Sequence, residues 1–274
     1  MVDLKRSAKQ ILMGLGLYEF AHHLWIKRPD WRSAWLNLGY RICGAPDGLP
    51  IPDTHLIDTV ILSREIAWFL HSGRLCSDSI RYALLKNGYD LDDFETILDF
   101  GCGCGRVIRY WHQLSKRHRI YGTDINPELI AWDRKHLNQM ADFQVNGLEP
   151  PLNYPDHFFD FIYAISVFTH LPESLQYAWM DELRRVLRPE GLLLLSVHGA
   201  SRFFELTPTE QDQFSAGALV VKYGSTPGSN LCGAYHPEIY VRNCLARKYD
   251  VVDFVPGGIR DADQDVYLLR QRSN

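Results

Sequence analysis

Apolar and polar positions change their period along this chain, and the changes divide it into elements. From Thr96 onward, short apolar runs alternate with stretches of helical spacing. Ile97-Leu98-Asp99-Phe100, Ile120-Tyr121-Gly122-Thr123, Phe143-Gln144-Val145, Phe159 to Ile165 and Gly191 to Val197 read as strands. Val107, Tyr110, Trp111 and Leu114 recur at i, i+3, i+4 and i+7, and Leu175, Trp179, Leu183 and Val186 at i, i+4, i+8 and i+11, both helix periods. Such alternation predicts a parallel sheet with helices on both faces. Asn126-Pro127-Glu128 is a helix start: a capping amide, a proline in the first turn, and an acid at the positive end of the dipole. Val251 to Phe254 and Asp265 to Leu269 predict an antiparallel pair closing the sheet.

Before Thr96 the pattern is helical. Leu56 to Phe69 and Ser77 to Lys86 read as two helices, preceded by a proline-rich linker from Gly44 to Asp53. Residues 1–30 set Lys5, Arg6 and Lys9 against Leu4, Ala8, Ile11, Leu12 and Leu15. Gly14, Gly16 and Glu19 interrupt that run, so it predicts neither a membrane span nor a signal peptide. Residues 1–20 could make a peripheral membrane contact, although packing on the chain's own domain or on a partner is the commoner use of such a pattern. The division expected is a helical extension over 1–90 and an α/β domain over 91–274. Residues 200–235 exceed what a minimal fold of this kind requires, and are expected to form a lid or acceptor wall that leaves the cofactor site alone.

Composition narrows the partners. The 274 residues are 46% hydrophobic and 23% charged, as in ordinary globular proteins, and the net charge of −4 carries no footprint for nucleic acid. Six cysteines show no disulfide framework, which points to reduced thiols and a cytoplasmic location. Cys102-x-Cys104 has no second pair at ligand spacing, so no metal is expected.

The chemistry gathers at Asp99-Phe100-Gly101-Cys102-Gly103-Cys104-Gly105. Glycines at alternate positions permit a tight turn and let the backbone approach a ligand. Nineteen residues past Gly105, the next strand ends on Asp124, whose carboxylate could accept from a ribose diol. A dinucleotide loop, G-x-G-x-x-G, would need glycine at 106, where this chain has Arg106. The acid ahead of G-x-G-x-G resembles the first motif of class I S-adenosylmethionine-dependent methyltransferases. The resemblance continues through Asp124, Asn146-Gly147, Phe159 to Ala164 and Leu187-Arg188-Pro189-Glu190-Gly191-Leu192, covering roughly 96–270 in family order.

That resemblance implies a Rossmann-like, seven-stranded, mostly parallel sheet with an antiparallel C-terminal strand, and S-adenosylmethionine as cofactor. It assigns Asp99, Gly101, Cys102, Gly103, Gly105, Asp124, Ile125, Asn146, Gly147 and Ser166 to the cofactor, with Asn146 reading the adenine edge. The expected acceptor is a small molecule, sugar or lipid-linked glycan of the kind methylated by bacterial enzymes, most simply at a hydroxyl. A hydroxyl needs a general base, and His236, His170 and His198 fall at the carboxyl edge of the sheet, favoured in that order. His236 leads because a helix-cap position would point it outward, with Asp265 or Glu238 to orient a ring. Two other readings are a non-catalytic S-adenosylmethionine-binding partner subunit and a nicotinamide-dependent reductase, the latter opposed by Arg106.

Overall fold

The computed structural model describes residues 31–272, so the amphipathic stretch expected within 1–30 lies outside the described residues. The described residues divide into two compact units, one ending at residue 69 and the other beginning at residue 70. In the first, α1 (Trp31–Leu36) and α2 (Leu38–Cys43) precede an irregular segment and α3 (Thr54–Ile61). Asn37, between α1 and α2, donates to the Arg64 carbonyl (2.7 Å) and accepts from the Ile66 N–H (2.8 Å). The single helix expected over 56–69 is broken, because Leu62 takes the left-handed conformation (φ 53°) and the Ser63 hydroxyl accepts from the Glu65 N–H. A new helix, α4 (Ile66–Lys86), then runs without interruption through the residues where a second helix was expected to start.

The second unit is built on one seven-stranded sheet in the order β3-β2-β1-β4-β5-β9-β8. Its strands are β1 (Thr96–Phe100), β2 (Arg119–Asp124), β3 (Asp142–Val145), β4 (Phe159–Ala164), β5 (Leu187–Val197), β8 (Tyr249–Ile259) and β9 (Gln264–Gln271). Strands β1 to β5 pair in parallel, while β9 runs antiparallel to both β5 and β8. This is the mostly parallel sheet with an antiparallel C-terminal strand that the resemblance implies. β5 begins earlier than its apolar run, at Leu187, with Glu190 at φ 62° and an irregular register against β4.

The core lies between the central strands and their helices. β1 is buried at every position, as a strand covered on both faces must be. α5 (Pro127–His136) is capped as its sequence indicates, with the Asn126 side chain accepting from the Glu128 N–H at 2.9 Å. α6 (Glu173–Val186) buries Trp179, Leu183 and Val186 against the sheet, each contributing about 1.5–3 kcal/mol. The surplus segment forms α7 (Pro208–Ser215) and a small antiparallel ribbon of β6 (Val220–Lys222) and β7 (Gly233–Tyr235).

One expected helix is not formed. Residues 106–114 make turns and a 3₁₀ segment, Ile108–Trp111, followed by another at Leu114–Lys116. Val107, Ile108, Tyr110 and Trp111 are weak helix formers, and side-chain bonds draw this stretch to other elements. Arg106 Nη1 donates to Asp261 Oδ2 (2.7 Å), Tyr110 Oη to the Leu70 carbonyl (2.5 Å) and Trp111 Nε1 to Tyr163 Oη (2.8 Å). α4 comes close enough here that a Cβ at Gly73 would lie 2.3 Å from the Arg106 carbonyl oxygen.

An exposed helical Gly→Ala change adds up to ~1 kcal/mol of stability. Gly73→Ala is expected to do the reverse, lowering stability by ~1–3 kcal/mol through overpacking against backbone. Urea denaturation measures it, and a variant more stable than wild type would contradict the close approach.

Candidate active site

The loop after β1 is glycine-built for torsion and for space. Gly101, Gly103 and Gly105 take φ of +84°, +62° and +69°, values that favour glycine strongly. A Cβ at Gly101 would sit 2.3 Å from Val167 Cγ2, and one at Gly105 2.3 Å from Leu137 Cδ1. The Gly101 and Cys102 N–H groups both donate to the Thr123 carbonyl, at 2.8 and 2.9 Å. The Gly103 N–H donates to Asp124 Oδ2 at 2.9 Å, while Asp124 Oδ1 accepts from the Asn126 N–H at 2.8 Å. One carboxylate thus joins the glycine loop, the end of β2 and the entry to α5. Burial pushes the Asp124 carboxyl up, and the N–H groups of Asn126, Gly103 and Ile125 pull it back toward the charged form. The residue still keeps part of its surface open.

Asp99 turns inward. Its Oδ2 accepts from Tyr163 Oη at 2.9 Å, and that phenol in turn accepts from Trp111 Nε1. Burial pushes Asp99 up to about 7, against the Tyr163 bond and the Arg106 charge. The thiols of Cys102 and Cys104 are buried and pushed up by that burial, so both are neutral. Among the described residues no group of three His, Cys, Asp or Glu could hold a metal ion.

Sequence reading missed Asp133. It lies on the buried stripe of α5 with Leu129 and Ile130, beneath the loop, with Cys102 Sγ 3.8 Å from its Oδ2. Burial, with Asp124 and Asp99 nearby, pushes its carboxyl up to about 9, so it is a neutral acid at pH 7. An acid at an apolar helical position was the available signal.

Asn146 follows β3, its N–H donating to the Asp124 carbonyl (3.1 Å) and its Nδ2 to the Gly147 carbonyl (2.7 Å). Its buried Oδ1 has no hydrogen-bond partner. Ser166, at φ 64°, is held in a ring of bonds: its N–H donates to Ser196 Oγ, Ser196 Oγ to Gln264 Oε1, and Gln264 Nε2 back to Ser166 Oγ. Its side chain therefore joins the ends of β4 and β5 to β9.

The surplus segment lies close to Ile125, one of the residues the resemblance assigns to the cofactor, and to Leu148. A Cβ at Gly228 would lie 2.7 Å from Ile125 Cδ1 and 3.1 Å from Leu148 Cδ1. The Gly228 N–H donates to the His170 carbonyl (2.8 Å), and His170 Nδ1 lies 2.9 Å from the Cys232 carbonyl. The physical reason is the ribbon: β7 bridges back to His198, so the loop between β6 and β7 must return across the carboxyl edge.

The three histidines are gathered, all largely buried. His236 is fully enclosed and faces inward, not outward as a cap position implied. Its N–H extends the bridge from β7 by donating to the His198 carbonyl (2.7 Å), the helical turn begins only at Glu238, and Nε2 lies 3.0 Å from Gln176 Oε1. Burial pushes His236 down to about 3. His198 is pushed to about 3 as well, by burial, the Arg202 charge and the other two rings. His170 is lowered by burial, against the backbone carbonyls it meets. Neither expected acid orients a ring: Asp265 Oδ1 accepts from the Gly257 N–H, and Glu238 pairs with Arg242. Gln176, unremarked in the sequence, is the partner of His236.

A sheet of this order with a glycine loop on β1 and an acid ending β2 defines a nucleoside-binding α/β fold of the methyltransferase type. Residues 98–195 match the methyltransferase domain family. A malonyl-[acyl-carrier protein] O-methyltransferase of Pectobacterium atrosepticum is 29% identical over 118 residues, 42% of this chain and 43% of that protein. The chain spans about half or less of the length of the curated relatives it matches. Among solved structures, a 1,6-didemethyltoxoflavin-N1-methyltransferase of Burkholderia thailandensis with bound S-adenosylhomocysteine shares the fold (TM-score 0.54, 17% identity, 82% of this chain and 92% of that one). So does an S-adenosylmethionine-dependent methyltransferase of Methanosarcina mazei (TM-score 0.50, 21% identity, 69% and 98%). The match over residues 98–195 and the shared fold support a class I S-adenosylmethionine-dependent methyltransferase, a class whose cofactor is S-adenosylmethionine.

The histidine geometry has a pH consequence. A ring near 6.5 unfolded and about 3 folded binds more protons when unfolded, so its contribution to stability is complete above pH 6.5 and falls as pH drops from there toward 3. Between pH 7 and pH 5, wild type should lose on the order of 2 kcal/mol more than His236→Gln. Urea titrations of both at each pH measure this, and parallel losses would show that His236 accepts a proton in the fold.

Proposed function

We propose that this protein transfers a methyl group from S-adenosylmethionine to an oxygen of a small-molecule, sugar or lipid-linked acceptor. The carrying observation is the Asp124 carboxylate, fixed at both oxygens by backbone N–H groups and still partly open beside the glycine loop. The residues present suit the cofactor. Gly101 leaves no room for a Cβ, Asp124 can accept from ribose hydroxyls, and the unpartnered Asn146 Oδ1 suits an exocyclic amine. Ile125 and Leu148 offer apolar surface, and the 223–232 loop covers that side as a lid.

The cofactor supplies an electrophilic methyl group, and the protein supplies alignment and exclusion of water. Alignment can lower a barrier by about 7–11 kcal/mol at its upper end. His170 is the base this geometry favours. It is less enclosed than His236 and lies where the loop meets the turn that follows β4. With its Nδ1–H donating to the Cys232 carbonyl, Nε2 is the nitrogen that can take a proton from an acceptor hydroxyl. His198 and His236, neutral and buried, keep positive charge away from a cationic sulfonium. An oxygen acceptor accords with the O-methyltransferase named above, whose match covers 42% of this chain.

Asp124→Ala tests the reading. With the melting temperature retained, its affinity for S-adenosylhomocysteine should fall by about 10- to 150-fold, the worth of hydrogen bonds to a charged group. Calorimetry gives the affinity, and transfer of labelled methyl to a panel of hydroxyl and carboxyl acceptors gives the activity. Unchanged affinity in the folded variant would remove Asp124 from the cofactor site.

A further inference from the structure

α1 and α2 are amphipathic in the reverse sense to an ordinary surface helix. Along 31–43 the buried positions are the polar Ser33 and Asn37, the latter bonded to the backbone of residues 64 and 66. Trp31, Trp35, Leu38 and Ile42, at i, i+4, i+7 and i+11, form one apolar stripe on the outer side, exposed at 83%, 76%, 46% and 74%. Two tryptophans and two aliphatics in a row form a contiguous apolar patch that water solvates poorly, and tryptophan is the residue that best suits a membrane–water boundary.

Charge selects the occupant. Residues 31–43 carry Arg32 and Arg41 and no Asp or Glu, within a chain whose total charge is −4. Both arginines stand exposed beside the stripe, Arg41 lying 4.0 Å from Asp53. A second copy would bring like charge to like, whereas an anionic lipid surface complements it. We propose that the stripe of α1 and α2 is a membrane-docking surface that lies in the headgroup region of an anionic bilayer, with Trp31, Trp35 and Ile42 inserted. Such a surface lies on the membrane without crossing it, and no helix among the described residues is long and apolar enough to cross. The proposal stands on the first unit alone and holds whatever the acceptor is.

The test uses the full chain and the triple variant Trp31→Ser/Trp35→Ser/Ile42→Ser, sedimented with vesicles of phosphatidylcholine alone or with added phosphatidylglycerol. Wild type should sediment with the anionic vesicles and not the neutral ones, and the variant should bind about 10-fold more weakly or worse. If the variant does not fold, a polarity-sensitive dye on the exposed Cys43 of the unaltered stripe, with Cys43→Ser as control, should shift to the blue on adding anionic vesicles. Equal binding by a folded variant, no binding by wild type, or an unmoved dye overturns the proposal. A dimer that the variant abolishes, without vesicle binding, assigns the stripe to a second copy and overturns it as well.

Discussion

The pair of hydrogen bonds from the Gly103 and Asn126 N–H groups to the Asp124 carboxylate is the constraint on which the site depends. A loop with three left-handed glycines has large conformational freedom, and each residue ordered in it carries an entropic cost. A charged acceptor at the end of the neighbouring strand offsets that cost, because hydrogen bonds to an ionised group are about twice as strong as neutral ones. The same carboxylate fixes the turn into α5, where the Asn126 side chain caps the first turn. Loop, strand end and helix start are then one rigid unit.

Around that unit, buried polar groups hold neighbouring elements at fixed separations. Arg106, Asp261, Ser72 and Cys76 form a hydrogen-bonded cluster behind the loop, joining α4 to the β8–β9 turn. Tyr163 joins Asp99 to Trp111, and Ser196 with Gln264 joins β4 and β5 to β9. Each network supplies partners for polar atoms that would otherwise be buried at a penalty. The three histidines follow the opposite logic. Burial lowers the basicity of all three, and it keeps His198 and His236 neutral at pH 7.

Elements whose local signals agree with the fold were legible in the sequence. The apolar strands, the Asn126-Pro127-Glu128 cap and the glycine loop each have a short-range cause, and the seven-stranded, mostly parallel sheet followed once the family resemblance was made. The elements misread are those where tertiary contacts override local pattern. The helical period over 107–114 belongs to a stretch drawn apart by Arg106, Tyr110 and Trp111. The helix expected to end at Phe69 instead begins at Ile66, because Leu62 can be left-handed once Asn37 satisfies the backbone beyond it. His236 looked like an outward cap until β7 bridged to His198 and carried it into the interior. Asp133 and Gln176 gave only the weak signal of a polar residue on an apolar stripe.

In the proposed site the glycine loop, Asp124, Asn146 and the 223–232 loop enclose one cofactor. Hydrogen exchange of the full chain, with and without saturating S-adenosylhomocysteine, tests it most directly. Slowed exchange is expected in four stretches alone, 100–106, 124–127, 146–148 and 223–232, with the last changing as much as the others because the loop closes over the ligand. Protection of the first three without the fourth would contradict the lid, and binding that leaves 100–106 and 124–127 unprotected would contradict the site itself.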